Sequence, residues 1–594
     1  MIFGRHINKY YLKYAPVLLL GLLALFLVDY FQLEIPELYK MVINGANEGF
    51  VIIDGARVDF DMAFVLDKIC LPMIFIIVAM IVGRFLWRVC FFGSSLRVET
   101  SLREKMFDKC KGLPQEFYHK NKVGNLMSLF TNDLETIHEC FAWGIMMLFD
   151  VLLLGGLALW KMIEMNPLLT LLSMIPMIFM FAVATILGKY MMNKWEVRQE
   201  AFSSLSDFTQ ESFSGIAVIK AFVKEFRELW AFKKLNRDNE RANVTYTKAS
   251  TLMRIFVILF VESVVCVILG YGGYLVYNGT FNAGELIEFV SYFTTIVWPV
   301  MAVSELIEMT SRGAASMKRV SQLLDEKLAV VDAPDVYDVD GIRGEIEFKN
   351  LTFRHPGADY DALRNVSFKI EAGERVGIIG KTGAGKTTVV DLILRTYNVP
   401  SGTVFIDGHD VNRIPIRTVR EHSAYVPQDN FLFSDTIENN ISFAADVATR
   451  EEVIEAATLS DVHSNIEEFS EKYDTVLGER GVTVSGGQKQ RISIARALMK
   501  DAPILILDDS VSAVDTDTER VILSNLKRTR EGKTTILIAH RVSTVEGMDK
   551  IIYIEDGEIV DVGTHTELCE RCADYRRMVE LQRLEEKEGG RDDA

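Results

Sequence analysis

A long apolar stretch without one charge is the feature that most limits how this chain can fold. The residues from Met165 to Gly188 include no Asp, Glu, Lys or Arg. A bilayer core is about 30 Å thick, and a helix needs about 20 apolar residues to cross it. Because the cores of soluble proteins rarely contain so long an uncharged run, the stretch predicts a membrane-spanning helix.

Five more long apolar segments, with only scattered charged residues, occur in the first half of the chain. Together the six predicted spans cover residues 15–45, 64–92, 138–163, 165–190, 252–277 and 286–309. Apolar residues make up 49% of the whole chain but are concentrated in this half. We therefore expect a multi-domain membrane protein whose first domain is all-α, with six long helices and a short interfacial helix at residues 5–13.

The connections between the predicted spans indicate how the chain lies in the membrane. Two of them, Arg97 to Asp133 and Tyr190 to Lys248, are long, charged and helix-patterned, while the others are short or nearly free of Lys and Arg. Connections rich in Lys and Arg stay in the cytoplasm. This pattern predicts a multi-pass protein of the lipid bilayer, expected to be a bacterial plasma membrane, with both termini and the second half of the chain in the cytoplasm.

A phosphate-binding loop opens the second half. Its pattern, G-x-x-x-x-G-K-[ST], is met by Gly380, Lys381, Thr382, Gly383, Ala384, Gly385, Lys386 and Thr387. In such a loop the backbone N–H groups surround phosphate oxygens, the Lys reaches the terminal phosphates and the Thr hydroxyl can ligate Mg²⁺. A predicted buried strand at residues 375–379 precedes the loop, and a predicted helix from Thr388 to Leu394 follows it. The expected cofactors are ATP and Mg²⁺, with Thr388 counted among the ATP-binding residues.

Further motifs follow the loop in a fixed order. They are Gln428 in Y-V-P-Q, residues 475–481, the sequence Ser485, Gly486, Gly487 and Gln488, an apolar run ending at Asp508, residues 512–515, and His540. In this order they resemble the Q-loop, the segment before the signature, the signature, the Walker B strand, the D-loop and the switch histidine of ATP-binding-cassette (ABC) proteins. The match covers about residues 343–585, and it implies an α/β P-loop NTPase domain with the ABC helical subdomain.

The resemblance implies roles for these residues. Gln428, Asp509 and His540 are the implied catalytic residues, and the implied Mg²⁺ ligands are Thr387, Gln428 and Asp508. The signature would bind ATP held by the loop of a second cassette. His355 stands where exporters usually have a Tyr that stacks on adenine. An imidazole can still stack, but base selectivity is left open.

The spanning half resembles the transmembrane domain of ABC exporters, with residues 117–128 and 212–216 similar to their two coupling regions. Six spans and one cassette make a half-transporter, which implies a dimer that exports its cargo by alternating access. The predicted domains are residues 1–325 for the transmembrane part, 326–342 for a linker, 343–585 for the nucleotide-binding domain and 586–594 for a charged tail.

The residue after Asp508 indicates which kind of ABC exporter this chain resembles. Hydrolytically active cassettes have Glu there, whereas this chain has Asp509. The shorter side chain withdraws the carboxylate by about 1.5 Å, and a misplacement near 1 Å can cost about a hundredfold in rate. The sequence thus favours the degenerate half of a heterodimeric multidrug-type exporter. A homodimer that tolerates Asp is the alternative, and retention of His540 is in its favour.

The charged residues of the chain limit which partners and which cargo it can bind. The formal net charge of −17 argues against nucleic acid, because a binding face must neutralise phosphates. Acidic residues inside the spans should face the bundle interior or water, either as structural groups or as attractors of cationic amphiphiles or peptides. These residues are Asp29, Glu34, Asp150, Glu262, Glu288 and Glu305.

Functions other than export fit the same features less well. Chromosome-organising ATPases share the motifs but lack membrane spans, and importers usually carry permease and ATPase on separate chains. The expected function is ATP-driven export of a small molecule, amphiphile, lipid or peptide. An ATP-gated membrane regulator or channel that does not pump is the alternative.

Overall fold

The computed structural model describes residues 4–53, 56–339, 341–478 and 484–589. Its contacts divide the chain into two compact units between Asp325 and Glu326, with the segment Cys110–Val123 belonging to the second unit. The sequence alone places that segment in the transmembrane domain. The difference arises because the segment makes its contacts with residues of the ATPase half.

Helices dominate the chain up to Asp325. In chain order they are α1 (Asn8–Lys13), α2 (Ala15–Glu48), α3 (Met62–Phe64), α4 (Leu71–Gly112), α5 (Gln115–Lys120), α6 (Val123–Ser128), α7 (Leu134–Phe149), α8 (Gly155–Met165), α9 (Pro167–Ser214), α10 (Ile216–Ala221), α11 (Glu225–Tyr277) and α12 (Ala283–Asp325). Three π-helical segments, Val65–Cys70, Leu129–Asp133 and Asp150–Leu154, continue the helical path between neighbouring helices. A hairpin of β1 (Phe50–Ile53) and β2 (Ala56–Asp59) follows α2.

The fold class predicted for this half is confirmed. Among the described residues, five helical stretches are long and apolar enough to cross a membrane, and a shorter apolar helix covers Pro167–Met180 at the start of α9. The two charged connections are the extended ends of α4, α9 and α11. The fourth span begins two residues later than predicted, since Asn166 caps α9 by accepting a hydrogen bond from the Leu169 N–H at 2.9 Å and Pro167 suits the first helical position.

Apolar contacts and two ion pairs hold the first unit together. One buried cluster includes Leu33, Leu154, Val264 and Phe289 from four different stretches of the chain. Lys40 lies 3.1 Å from the buried carboxylate of Glu288. In the same unit the guanidinium of Arg319 donates to both carboxylate oxygens of Asp133. Buried charges of this kind are tolerated when they are paired.

Two sheets form the framework of the second unit. Its strands are β3 (Ile346–Phe353), β4 (Leu363–Ile370), β5 (Arg375–Ile379), β6 (Val404–Ile406), β7 (His409–Asp410), β8 (Ser423–Val426), β9 (Ile504–Asp508), β10 (Thr534–Ala539), β11 (Lys550–Glu555) and β12 (Glu558–Gly563). One sheet has the order β12-β11-β5-β10-β9-β8, parallel except for the β11–β12 pair, and the other is antiparallel with the order β4-β3-β6-β7.

Helices complete this unit as an α/β domain. They are α13 (Lys386–Ile393), α14 (Ile416–Glu421), α15 (Ile437–Ser442), α16 (Arg450–Leu459), α17 (His463–Glu467), α18 (Gly486–Met499), α19 (Thr516–Thr529), α20 (Val542–Val545), α21 (His565–Arg571) and α22 (Ala573–Gly589). Residues of α15 to α18 share a separate apolar core, which is the predicted helical subdomain. The strands predicted at residues 375–379 and 504–508 are confirmed, and the helix after the loop begins at Lys386, two residues before its predicted start.

The predicted orientation can be tested on a chain whose seven native cysteines are replaced by Ser. A cysteine at Asn282, just before α12, is expected to react with a membrane-impermeant maleimide added to intact cells. A cysteine at Ser214, the last residue of α9, is expected to react only after permeabilisation, because its charged surroundings belong in the cytoplasm. The opposite labelling pattern would contradict the orientation.

Candidate ATP site

The phosphate-binding loop has the backbone that its glycines allow. It follows β5 directly and leads into α13. A Cβ added at Gly380 would lie 2.0 Å from the carbonyl oxygen of Ile554. Gly385 has φ +95°, in the left-handed region that favours glycine. The N-terminus of α13 therefore faces the space enclosed by the loop, which is the arrangement that suits a phosphate.

Lys386 is the first residue of α13, and its side chain folds over the loop. Its Nζ donates to the carbonyl oxygens of Gly380 at 2.8 Å and Lys381 at 3.0 Å. Burial lowers the pKa of Lys386, although nearby Asp509 and Asp508 act in the opposite direction. The ammonium group thus lies inside the loop that would hold the phosphates. Neighbouring Lys381 instead forms an exposed ion pair with Glu555.

The predicted metal ligands meet next to the loop. Asp508 ends β9, is 1% exposed, and its carboxyl lies close to the side chains of Thr387 and Tyr425. Burial raises the pKa of Asp508. Its Oδ2 has no hydrogen-bond partner among the described residues. A buried carboxylate oxygen beside a threonine hydroxyl and near an amide is a donor set that fits Mg²⁺. Thr387, Asp508 and Gln428 are the residues that would hold it.

Asp509 is held by its backbone and contacted by the Q-loop. It has φ +47°, and its N–H donates to the carbonyl oxygen of Ile538 at 3.0 Å. The Nε2 of Gln428 donates to Asp509 Oδ2 at 3.3 Å. The structure therefore brings together two of the three residues predicted to be catalytic.

A cavity of about 970 Å³ opens beside these groups. Thr387, Gln428 and Asp508 line it, together with Gln115 and His119 of α5. The predicted first coupling region thus shares a cavity with the three predicted metal ligands.

The ring of His355 lies nearly perpendicular to two neighbouring aromatic rings. Its Nε2 lies 3.1 Å from the Thr388 hydroxyl oxygen. Its ring meets those of Phe353 and Tyr397 in edge contacts, with centroids 5.1 and 5.0 Å away. Burial lowers the pKa of His355, so its neutral form is favoured. The imidazole lies beside the first turn of α13, close to the nucleotide loop.

The signature residues begin α18. Ser485 caps this helix by accepting a hydrogen bond from the Gln488 N–H, and the Gln488 side chain accepts one from the Ser485 N–H. Gly487 is so close to the D-loop that an added Cβ would lie 3.0 Å from the Ala513 carbonyl oxygen. Of the segment predicted to precede the signature, residues 479–481 lie outside the described residues.

His540 follows β10, at the same edge of the sheet as the loop and Asp508. Its carbonyl oxygen accepts a hydrogen bond from Gln582 Nε2 at 2.8 Å. The Oε1 of the same glutamine accepts from the Val542 N–H at 2.7 Å. Gln582 of α22 therefore braces the backbone on both sides of Arg541. No motif marks this glutamine, which is 42 residues from His540 in sequence.

A second contact that the sequence does not reveal joins α18 to the D-loop. Gln490 is buried, and its Oε1 accepts a hydrogen bond from the Ala513 N–H at 3.0 Å. The signature helix and the D-loop are thereby fixed to each other. Gln490 stands in the polar run 488–491, so no signal in the sequence sets it apart.

Comparison with known proteins agrees with this geometry. Residues 9–300 match the family model of the ABC transporter transmembrane region, and residues 363–512 match the ABC transporter family model. A probable multidrug resistance ABC transporter ATP-binding/permease protein of Bacillus subtilis, YheI, is 34% identical over 99% of this chain and 98% of that protein. The chain belongs to the ABC transporter family.

Further relatives of this ABC transporter differ in the cargo that their names give. An ATP-dependent lipid A-core flippase of Syntrophus aciditrophicus is 33% identical over 84% of this chain and 83% of that protein. The solved structure of a bacterial Atm1-family ABC exporter with ATP bound matches with a TM-score of 0.75 and 26% identity, over 97% of this chain and 98% of that one. The architecture is that of an exporter half-transporter, and ATP-driven export is the function that it supports.

The brace on the histidine loop can be tested by hydrogen exchange. Replacing Gln582 with Leu keeps the side-chain size and removes both hydrogen bonds. Exchange of the Val542 amide is expected to accelerate about tenfold, the equivalent of one lost hydrogen bond. The measurement is deuterium uptake of peptides covering residues 540–545, with the exposed Glu580→Gln as a control. Unchanged uptake in the Leu variant would show that the brace does not hold the loop.

Proposed function

We propose that this ABC transporter is one half of a heterodimeric exporter and that its own ATP site hydrolyses ATP slowly. The cargo is a small molecule, amphiphile, lipid or peptide, and the membrane is a bacterial plasma membrane. The single observation that carries the proposal is Asp509 at the position after the Walker B Asp508. A homodimeric exporter that tolerates Asp at this position is the competing hypothesis.

The geometry around Asp509 supports a slow site. Its backbone is fixed by the hydrogen bond to Ile538 and by a left-handed φ, so the main chain cannot easily advance to compensate for a short side chain. The carboxylate oxygen lies 3.3 Å from the Gln428 amide nitrogen, slightly farther than in a typical N–H···O hydrogen bond. A side chain one methylene longer would extend further into the site where water must be oriented for attack.

Binding of ATP depends on other residues and is expected to be intact. The loop amides and Lys386 would hold the phosphates, while Thr387, Asp508 and Gln428 would hold Mg²⁺. The metal ion, when bound, neutralises charge on the transferring phosphoryl group. His540, fixed at its backbone by Gln582, would contact the terminal phosphate. Slow turnover with normal binding is therefore the expected behaviour of this half.

The signature of this chain is intact, so it can serve a partner. Ser485 and Gln488 make their capping hydrogen bonds to each other at the start of α18, which leaves the helix N-terminus ordered for a phosphate. In a dimer this surface would complete the ATP site on the loop of the second half-transporter. The two sites of the assembly would then differ in rate.

Replacing Asp509 with Glu tests the proposal directly. Turnover at this site is expected to rise by about a hundredfold, because the longer side chain restores the reach of the carboxylate. The measurement is single-turnover ATP hydrolysis by the assembled transporter after its partner site has been silenced. Asp517→Glu adds the same methylene at an exposed position of α19 and should change nothing. A homodimer of the wild-type chain with full activity, unaltered by Asp509→Glu, would refute the slow site.

Two substitutions separate binding at this site from turnover at the partner site. Lys386→Ala is expected to abolish nucleotide labelling of this chain, since it removes the charge that reaches the terminal phosphates. Ser485→Arg is expected to leave that labelling intact and to silence hydrolysis on the partner. Photolabelling with an azido-ATP, resolved by subunit, measures the first effect and ATPase activity the second. Equal labelling of Lys386→Ala and wild type would remove Lys386 from the site.

Export itself is tested with inverted membrane vesicles. ATP-dependent accumulation of a labelled cargo is expected, and it should be lost in Lys386→Ala. ATP-dependent conductance without accumulation would instead favour a regulator or channel.

A further inference from the structure

A polar cavity lies inside the transmembrane unit, away from the ATP site. Its volume is about 320 Å³, and α2, α4, α7, the π-helical segment after α7, and α12 line it. The ionisable side chains in its wall are those of Asp29, Arg84, Arg88 and Asp150. All four lie in or beside the predicted spans, where an ionisable group is costly unless it serves a site or a pair.

Two carboxylates in this wall are buried without complete hydrogen bonding. Asp29 is 3% exposed and Asp150 is 7% exposed. Asp29 Oδ2 and Asp150 Oδ1 have no hydrogen-bond partner in the described part of the chain. Because an unpaired buried carboxylate oxygen is unfavourable, both atoms are acceptors that still require a donor.

The two arginines of the cavity contact other groups in the same wall. Arg84 donates to the side-chain oxygen of Gln32 at 3.4 Å. The guanidinium of Arg88 lies over the ring of Trp87, 5.4 Å from its centroid. By contrast, the buried Asp133 of the same unit accepts hydrogen bonds from Arg319 on both carboxylate oxygens. Asp29 and Asp150 each keep one oxygen without a hydrogen-bond partner among the described residues.

Aromatic rings form another part of the wall. Trp298 donates from its indole Nε1 to Asp150 Oδ2 at 3.2 Å, which holds the ring against the carboxylate. Trp87 and Trp143 also line the cavity. Indole rings attract cations through their faces and apolar bodies through their area. The volume is within the range of small-molecule sites.

We propose that this cavity binds a protonated organic amine with an aromatic or apolar body. The ammonium N–H groups donate to the free oxygens of Asp29 and Asp150, and the body lies against the indole rings. Direct hydrogen bonds, not net charge, give the affinity, because Arg84 and Arg88 offset the formal charge of the two acids. The inference rests on the proposed export function and names a substrate class for it.

The test is equilibrium binding to the full chain in lipid nanodiscs without nucleotide, measured by calorimetry. The probes are phenethylammonium and its neutral isostere 2-phenylethanol. The ammonium is expected to bind and the alcohol to bind at least about tenfold more weakly. Asp29→Asn and Asp150→Asn are each expected to weaken ammonium binding about tenfold or more, since each replaces one of the two carboxyl oxygens with an amide nitrogen that cannot accept a hydrogen bond. Glu262→Gln, which alters an exposed acid outside the cavity, should leave it unchanged.

A second variant keeps the test decisive if the Asn variants do not fold. Thr295→Trp fills the cavity without touching either acid and is expected to abolish binding of the ammonium. Equal binding of the two probes, or ammonium binding that persists in Thr295→Trp or falls equally in Glu262→Gln, would overturn the proposal. Because no ATP is present, this outcome is independent of whether the transporter exports or how fast Asp509 acts. Demonstrated export of another class of cargo, with no ammonium binding, would remove this inference alone.

Discussion

The parallel pairing of β5, β10 and β9 is the constraint on which the ATPase half depends. Ala539 pairs with Ile379, and Ile538 pairs with Asp508, so the three strands end at one edge of the sheet. The segments after these strands therefore lie close together in space, although they are far apart along the chain. The phosphate loop, the Walker B carboxylates and the switch histidine are neighbours for this reason.

Much of this framework could be predicted because buried parallel strands have a simple sequence pattern. Strands covered on both faces are continuous apolar runs, and the predicted bounds of β5 and β9 agree with the structure. The start of α13 could not be placed as well. Lys386 and Thr387 are polar and add nothing to the apolar periodicity, so the loop backbone, not the pattern, determines where the helix begins. The spans were predictable for a similar reason, since their length and high content of apolar residues identify them.

The contacts made by single side chains were not predictable. Gln582 and Gln490 each form a hydrogen bond to a backbone that is distant in sequence, and neither belongs to a motif. The sequence indicated only that His355 can stack on adenine, and it gave no sign of the nearly perpendicular contacts with Phe353 and Tyr397. The free acceptors on Asp29 and Asp150 depend on where the side chains of Arg84 and Arg88 point. A hydropathy pattern does not predict the directions of arginine side chains. The sequence pattern therefore predicts helices and strands, whereas the hydrogen bonds of individual side chains are seen only in the structure.

The hydrogen bonds of Gln582 link the last described helix, α22, to the segment that carries His540. Gln582, in the middle of α22, connects that helix to the strand end that presents His540. Proteolytic trimming or a bulky fusion at the C-terminal end would leave the sheet and its apolar core in place. We nonetheless expect it to loosen the loop that carries His540. If that loop acts in turnover as proposed, purified forms of the protein that differ only in their tails should differ in their rates of ATP hydrolysis.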